Sequence, residues 1–170
     1  MTVERINPDG VGSPDQWLQG AGTTKWQNMF DALDSTTIFT AITGFVNRFT
    51  MANPTAIVEA DTINFITMHT RARRTAESGQ SRIRMRVFDD ATTFLDDNNI
   101  ILTNSLVDYT SKQFPNTPGG GAWTLTDLNN MDIQMNAVSI PSFTFLQVVE
   151  YFVEIDYTPA ATRRIFISNS

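Results

Sequence analysis

Cysteine is absent from the 170 residues, and histidine occurs once, as His69. The first absence excludes disulfides, thiolate zinc sites and cysteine nucleophiles. The second excludes a multi-histidine metal centre within one chain, and any Ser-His-Asp site must use that single imidazole. No apolar run reaches the roughly 18 residues of a membrane span. Met1 to Gly10 carries no apolar core of a secretory signal. The expectation is a protein made and kept in the cytoplasm unless it leaves as part of a larger particle. Positive charge is scarce too. The formal net charge is −6 and the pI about 4.6, which argues against nucleic acid and anionic membranes as general partners.

Motifs for common chemistries are also missing. There is no Gly-x-Ser-x-Gly, and the Gly119-Gly120-Gly121 run lacks the Lys-Ser or Lys-Thr that a phosphate loop needs, so it is a flexible connection. No cofactor is expected. Lys, Glu and Leu are few while Asn, Asp, Thr and Ser are plentiful, the reverse of a helical-bundle composition. A chain of this length buries roughly 70% of its unfolded surface and needs no staple.

Met1 to Gly22 reads as an extended arm, punctuated by Asn7-Pro8-Asp9-Gly10 and Gly12-Ser13-Pro14-Asp15. Residues 23–159 form the folded domain and residues 160–170 a tail. Within Lys25 to Leu33, Trp26, Met29, Phe30 and Leu33 recur at helical spacing and predict a turn or two of helix. Beyond Thr36 the period becomes two. Strands are predicted at Thr36 to Phe39, Phe45 to Met51, Asp61 to Arg74, Ser81 to Phe88, Ala91 to Leu95, Ile100 to Val107, Ala122 to Leu125, Ile133 to Ile140 and Phe143 to Tyr157. Glu77-Ser78-Gly79-Gln80 reads as a hairpin turn pairing the Asp61 and Ser81 strands. The clearest strand is the last: Val149, Tyr151, Val153, Ile155 and Tyr157 face one way and Glu150, Glu154 and Asp156 the other, the pattern of a central strand with one wet side. Without repeats or alternating long helices, the fold class is all-β, a two-sheet antiparallel sandwich of jelly-roll type.

Arginine is the most concentrated feature. Arg71, Arg73, Arg74, Arg82, Arg84 and Arg86 fall within sixteen residues that contain one acid, Glu77. On paired strands several guanidinium groups would share a sheet face. That face is either solvated and balanced by Glu150, Glu154 and Asp156, or an interface with an acidic partner or another subunit. The acids Asp31, Asp34, Asp89, Asp90, Asp96 and Asp97 match no calcium-loop spacing and suit turns and caps, and adjacent pairs point opposite ways along a strand, against glycosidase use. His69, mid-strand between Thr67 and Thr70, suits a packed or hydrogen-bonded role. Trp17, Trp26 and Trp123 offer a sugar platform in one reading and core or interface packing, the commoner use, in the other. The tail's Arg163-Arg164-Ile165-Phe166-Ile167 is too apolar for a free terminus and should dock on an edge of its own sheet or a neighbour's.

Three stretches carry a family likeness: Arg5-Ile6-Asn7-Pro8-Asp9-Gly10, Asp31 to Thr37 with its Asp-x-x-Asp-x-Thr element, and Val148 to Asp156. They resemble small jelly-roll structural proteins of tailed bacteriophages, which open with a similar arm and close with an alternating strand. The resemblance implies a virion location, with synthesis in the host cytoplasm, and a capsid decoration or cement role, commonly as a trimer. The Arg163 to Ile167 tail is not part of that pattern. The expected partners are the chain itself, as a homotrimer, and a major capsid or tail protein. The expected binding residues are Arg163, Arg164, Ile165, Phe166, Ile167, Arg71, Arg73, Arg82, Arg84 and Arg86, with no catalytic, cofactor or metal residue. The alternative is a tail-fibre or receptor-binding module that recognises host-surface glycans.

Overall fold

A strand with a single apolar stripe must bury that stripe against another layer. In the structure, a computed structural model that describes residues 2–20, 24–29, 37–75, 79–89 and 92–161, the solution is two six-stranded antiparallel sheets. The first contains β1 (Thr2–Ile6), β3 (Leu18–Gln19), β4 (Ile38–Thr40), β6 (Thr62–Arg74), β10 (Val107–Thr110) and β12 (Leu146–Thr158), in the order β10-β6-β12-β4-β3 with β1 also on β12. The second contains β2 (Pro8–Asp15), β5 (Val46–Met51), β7 (Arg82–Phe88), β8 (Phe94–Asp96), β9 (Ile100–Ile101) and β11 (Asp132–Ser139), in the order β2-β5-β11-β7-β8 with β9 also on β7. The expected all-β sandwich is thus the fold.

β12 is central, as its alternation predicts. It pairs with β6 along one whole edge, while β4 takes Leu146 to Val148 and β1 takes Val153 to Tyr157 on the other. Its inward residues Tyr151, Val153 and Ile155 meet Ile66 and Met68 of β6 and, from the second sheet, Phe49, Met85, Ile133 and Met135 in one buried cluster. The Tyr151 hydroxyl donates across the core to the Gln134 carbonyl at 3.0 Å. Methionine fills this core: Met29, Met51, Met68, Met85, Met131 and Met135 are all buried, which suits an unbranched side chain packing irregular gaps between twisted sheets.

Several elements depart from the sequence expectations. β6 and β7 are not a hairpin: β6 pairs with β10 and β12, and β7 with β8, β9 and β11. Both strands need an apolar face in the shared interior, and facing layers satisfy that as well as pairing does; alternation reports a strand's face but not its neighbour. Ile100 to Val107 divides the same way, β9 joining the second sheet and β10 the first, with Leu102 buried at the crossing. Ala122 to Leu125 is no strand. Thr124 caps helix α2 (Leu125–Asn129), its hydroxyl accepting from the Asp127 amide while the Asp127 carboxylate accepts from the Thr124 amide. This is a capping box. Among the described residues near the N-terminus Lys25–Asn28 are helical, as α1, and residues 30–33 of the expected helix lie outside the described residues.

The first residues lie on this chain's own sheets rather than reaching away: β1 is registered on β12 and β2 on β5. Ile6 is buried, and the Glu4 carboxylate accepts the amides of Thr55, Ala56 and Ile57 at 2.6 to 3.2 Å, so the arm has both an apolar and a polar anchor. Arg163, Arg164, Ile165, Phe166 and Ile167 lie outside the described residues, as do Asp31, Asp34, Asp90 and the Glu77-Ser78 part of the supposed hairpin turn.

Candidate functional site

The sandwich divides the arginine cluster. Arg71 and Arg73 stand on the outer face of the first sheet, and Arg82, Arg84 and Arg86 on the outer face of the second, so the expectation of one shared cationic face is corrected. Each is engaged. Arg84 and Arg86 both reach Asp96, at 3.2 and 2.5 Å, and the Arg86 guanidinium also lies 4.4 Å from the Phe94 ring centre. Arg82 donates to Gln80, Arg73 to Gln147, and Arg74 to Asn104 and the Gly79 carbonyl. Asp97, next to Asp96, turns inward and accepts the Lys112 amide.

Trp17 and Trp123 take the packing role, the commoner of the two uses, and not that of a sugar platform. Both are buried, their indole N–H groups donating to the carbonyls of Phe45 at 3.1 Å and Phe114 at 2.9 Å. Trp26 sits in α1.

A trough on the outer face of the first sheet is the most concentrated chemistry. Residues opposite each other in an antiparallel ladder share a face, and the register of β10, β6, β12 and β1 lays side chains out in rows. Asp108, Arg71 and Glu150 form one row, and Thr110, His69 and Phe152 the next. Then come Thr67, Glu154 and Arg5, followed by Phe65, Asp156 and Val3. Two hollows follow these rows and meet at His69. One, of about 480 Å³, is lined by Arg5, His69, Arg71, Asp108, Glu150 and Phe152. The other, of about 360 Å³, is lined by Phe65, Thr67, Gln113, Glu154, Asp156 and their neighbours.

At the junction three groups stack. The His69 ring lies 4.8 Å from the Phe152 ring at an interplanar angle of 6°, and the Arg5 guanidinium lies 3.7 Å from the same ring centre. Arg5 also donates to Glu150 at 2.7 Å. Cation–π attraction and the ion pair together fix a long, otherwise mobile side chain. Arg71 pairs with Asp108 at 3.3 Å. His69 Nδ1 is 3.2 Å from the Thr110 hydroxyl. His69 Nε2 is 3.1 Å from a Glu154 carboxylate oxygen but off the line of a hydrogen bond, which leaves a solvent-shielded nitrogen without one.

Of these residues, sequence reasoning placed Arg71, Glu150, Glu154 and Asp156 on wet faces and His69 in a hydrogen-bonded role, but missed Arg5, Asp108 and Phe152 as members of a site. The available signal was Phe152, the one aromatic among the outward acids of β12. Among the described residues no group of three or more His, Asp or Glu side chains is placed to hold a metal ion, and no helix is long and apolar enough to cross a membrane.

No family model matches the sequence, and neither does any curated protein. Solved structures do. A truncated AlyQ with CBM32 and alginate lyase domains aligns with a TM-score of 0.53 at 13% identity, covering 94% of this chain and 35% of that one, so this chain spans about a third of its length. The CBM36-1 domain of a multidomain xylanase from the hindgut metagenome of Trinervitermes trinervoides aligns with a TM-score of 0.49 at 9% identity, covering 94% of this chain and all of that one. The likeness to the first of these is one of fold alone, in keeping with the two-sheet sandwich.

Proposed function

We propose that this domain is a non-catalytic module that binds a glycan along the outer trough of the first sheet. The observation that carries the reading is the pair of hollows meeting at His69, where guanidinium, carboxylate, hydroxyl and amide groups surround the stacked rings of His69 and Phe152. Sugars offer hydroxyl groups in donor–acceptor pairs and apolar ring faces. A floor that mixes paired ions with ring edges meets both, and groups already held by ion pairs lose little freedom on binding. The likeness to a solved structure supports the architecture alone; the chemistry of the trough supports the ligand.

The test is a glycan array followed by titration of the best ligand against two variants, Arg71→Ala and Phe152→Ala. Loss of at least about tenfold in affinity for each, with the fold intact by circular dichroism, is expected for trough binding. An array without a hit, or a ligand indifferent to both variants, removes the trough from the account.

A second reading, assembly as a virion cement or decoration subunit, is favoured by a different surface. Leu18, Ile42, Phe143 and Phe145 are exposed, and Phe143 is 98% accessible on a turn with φ of 62°. Isolated apolar side chains on a surface are ordinary, but a whole phenyl ring in the left-handed region is strained and fits a contact residue. On this reading the chain forms trimers through the Phe143 end or through Arg163 to Ile167. Light scattering then reports an oligomer that Phe143→Ser or deletion of residues 162–170 dissociates; a monomer at every concentration excludes it.

A further inference from the structure

The two hollows differ in charge, and the difference names a ligand class. The first carries Arg5 and Arg71 against Glu150 and Asp108, so its charges cancel in pairs. The second carries Glu154 and Asp156 and no lysine or arginine among its lining residues. The nearest cations are committed elsewhere. Arg5 stands opposite Glu154 in the ladder but turns away to Glu150 and Phe152, and Lys112 lies over the Phe114 ring. Asp156 takes a 2.6 Å hydrogen bond from the neutral Asn64 amide. Glu154 lies 3.1 Å from His69, whose Nε2 is shielded from solvent without a hydrogen bond of its own. The hollow thus combines two carboxylates, a nitrogen wanting a partner, the Thr67 and Thr110 hydroxyls, the Gln113 amide and the Phe65 ring.

Resting on the glycan reading above, we infer that the second hollow accepts the ammonium group of an amino sugar, and that the module selects glycans carrying unacetylated amines. An ammonium donates three hydrogen bonds and carries the charge that these carboxylates lack. An N-acetyl group brings no charge, and a uronate brings the wrong one, with like-charge repulsion against Glu154 and Asp156.

The experiment compares three oligosaccharides of equal length by calorimetry with the full chain: a glucosamine oligomer, its N-acetylated counterpart and a hexuronate oligomer. The expected order is glucosamine tightest by about tenfold or more, weakening with added salt, and Glu154→Gln lowers affinity for the glucosamine oligomer about tenfold more than for the acetylated one, removing that preference. Equal affinity for the amine and the acetamide, or an amine preference that survives Glu154→Gln, overturns the inference while the glycan reading stands. Failure of all three oligomers to bind the folded chain overturns the inference and argues against the reading on which it rests.

Discussion

Tyr151 and Asp132 show how burial sets the behaviour of single side chains in this sandwich. Burial pushes the Tyr151 hydroxyl well above its ordinary value of 10.0, because a phenolate in the core has no water to solvate it. Tyr151→Phe leaves the Gln134 carbonyl without its 3.0 Å donor and is expected to cost about 1 to 3 kcal/mol in denaturant unfolding. Burial likewise raises the Asp132 carboxyl above 3.8, opposed by the charge and hydrogen bond of Arg48 at 2.7 Å. A carboxyl that holds its proton more tightly in the folded state contributes stability that is full below the ordinary value and is lost as pH rises through the raised one. Asp132→Asn should therefore flatten the stability curve over that window. Arg48→Met should move the Asp132 titration further upward, as followed by carboxyl NMR; a downward move would contradict the opposing influence of Arg48.

At the scale of strands, β1 depends on few attachments. Among its residues Ile6 alone is buried, and Glu4 gathers three amides from the 55–57 turn. Glu4→Ala should speed amide exchange in Thr2 to Ile6 and along the facing Val153 to Tyr157 by roughly tenfold, with β6 and β11 unaffected. Uniform acceleration would mean that the arm is part of the global unit. Strand by strand, the sequence was most legible where one face is dry and the other wet: the inward Tyr151, Val153 and Ile155 and the outward Glu150, Glu154 and Asp156 stand as their alternation reads. Pairing was not legible. Whether β7 lies beside β6 or across the core from it depends on which closure buries both apolar stripes, and that is settled by the whole set of strands. The trough followed the same limit, since Asp108, Arg71, Glu150 and Arg5 become neighbours only through the order β10-β6-β12-β1. The capping box at Thr124 was present as Thr-x-x-Asp but was hidden by the apolar residues on either side.

Over the whole molecule, charge is dealt out locally despite the net −6. Arg48 with Asp132, Arg84 and Arg86 with Asp96, and Arg5 with Glu150 are partly buried or stacked pairs, each joining different strands. Moderate salt should thus lower thermal stability only slightly, because close, shielded pairs are screened little. A melting temperature falling steeply between 0.05 and 0.5 M salt, on the order of ten degrees, would instead locate the stability in exposed, long-range attraction.

One feature of the ladder bears on how the sandwich responds to mechanical load. Thr2 is registered opposite Tyr157, so the first and last described strands of the first sheet present neighbouring ends. Tension applied between those ends peels β1 from β12 one bond at a time, the weakest geometry for an antiparallel pair. Arg5 leaves with the peeled strand while the Ile66, Met68 and Ile155 core stays closed. A pulled domain therefore opens at β1 before it unravels, which dismantles the trough at Arg5 and spares the core.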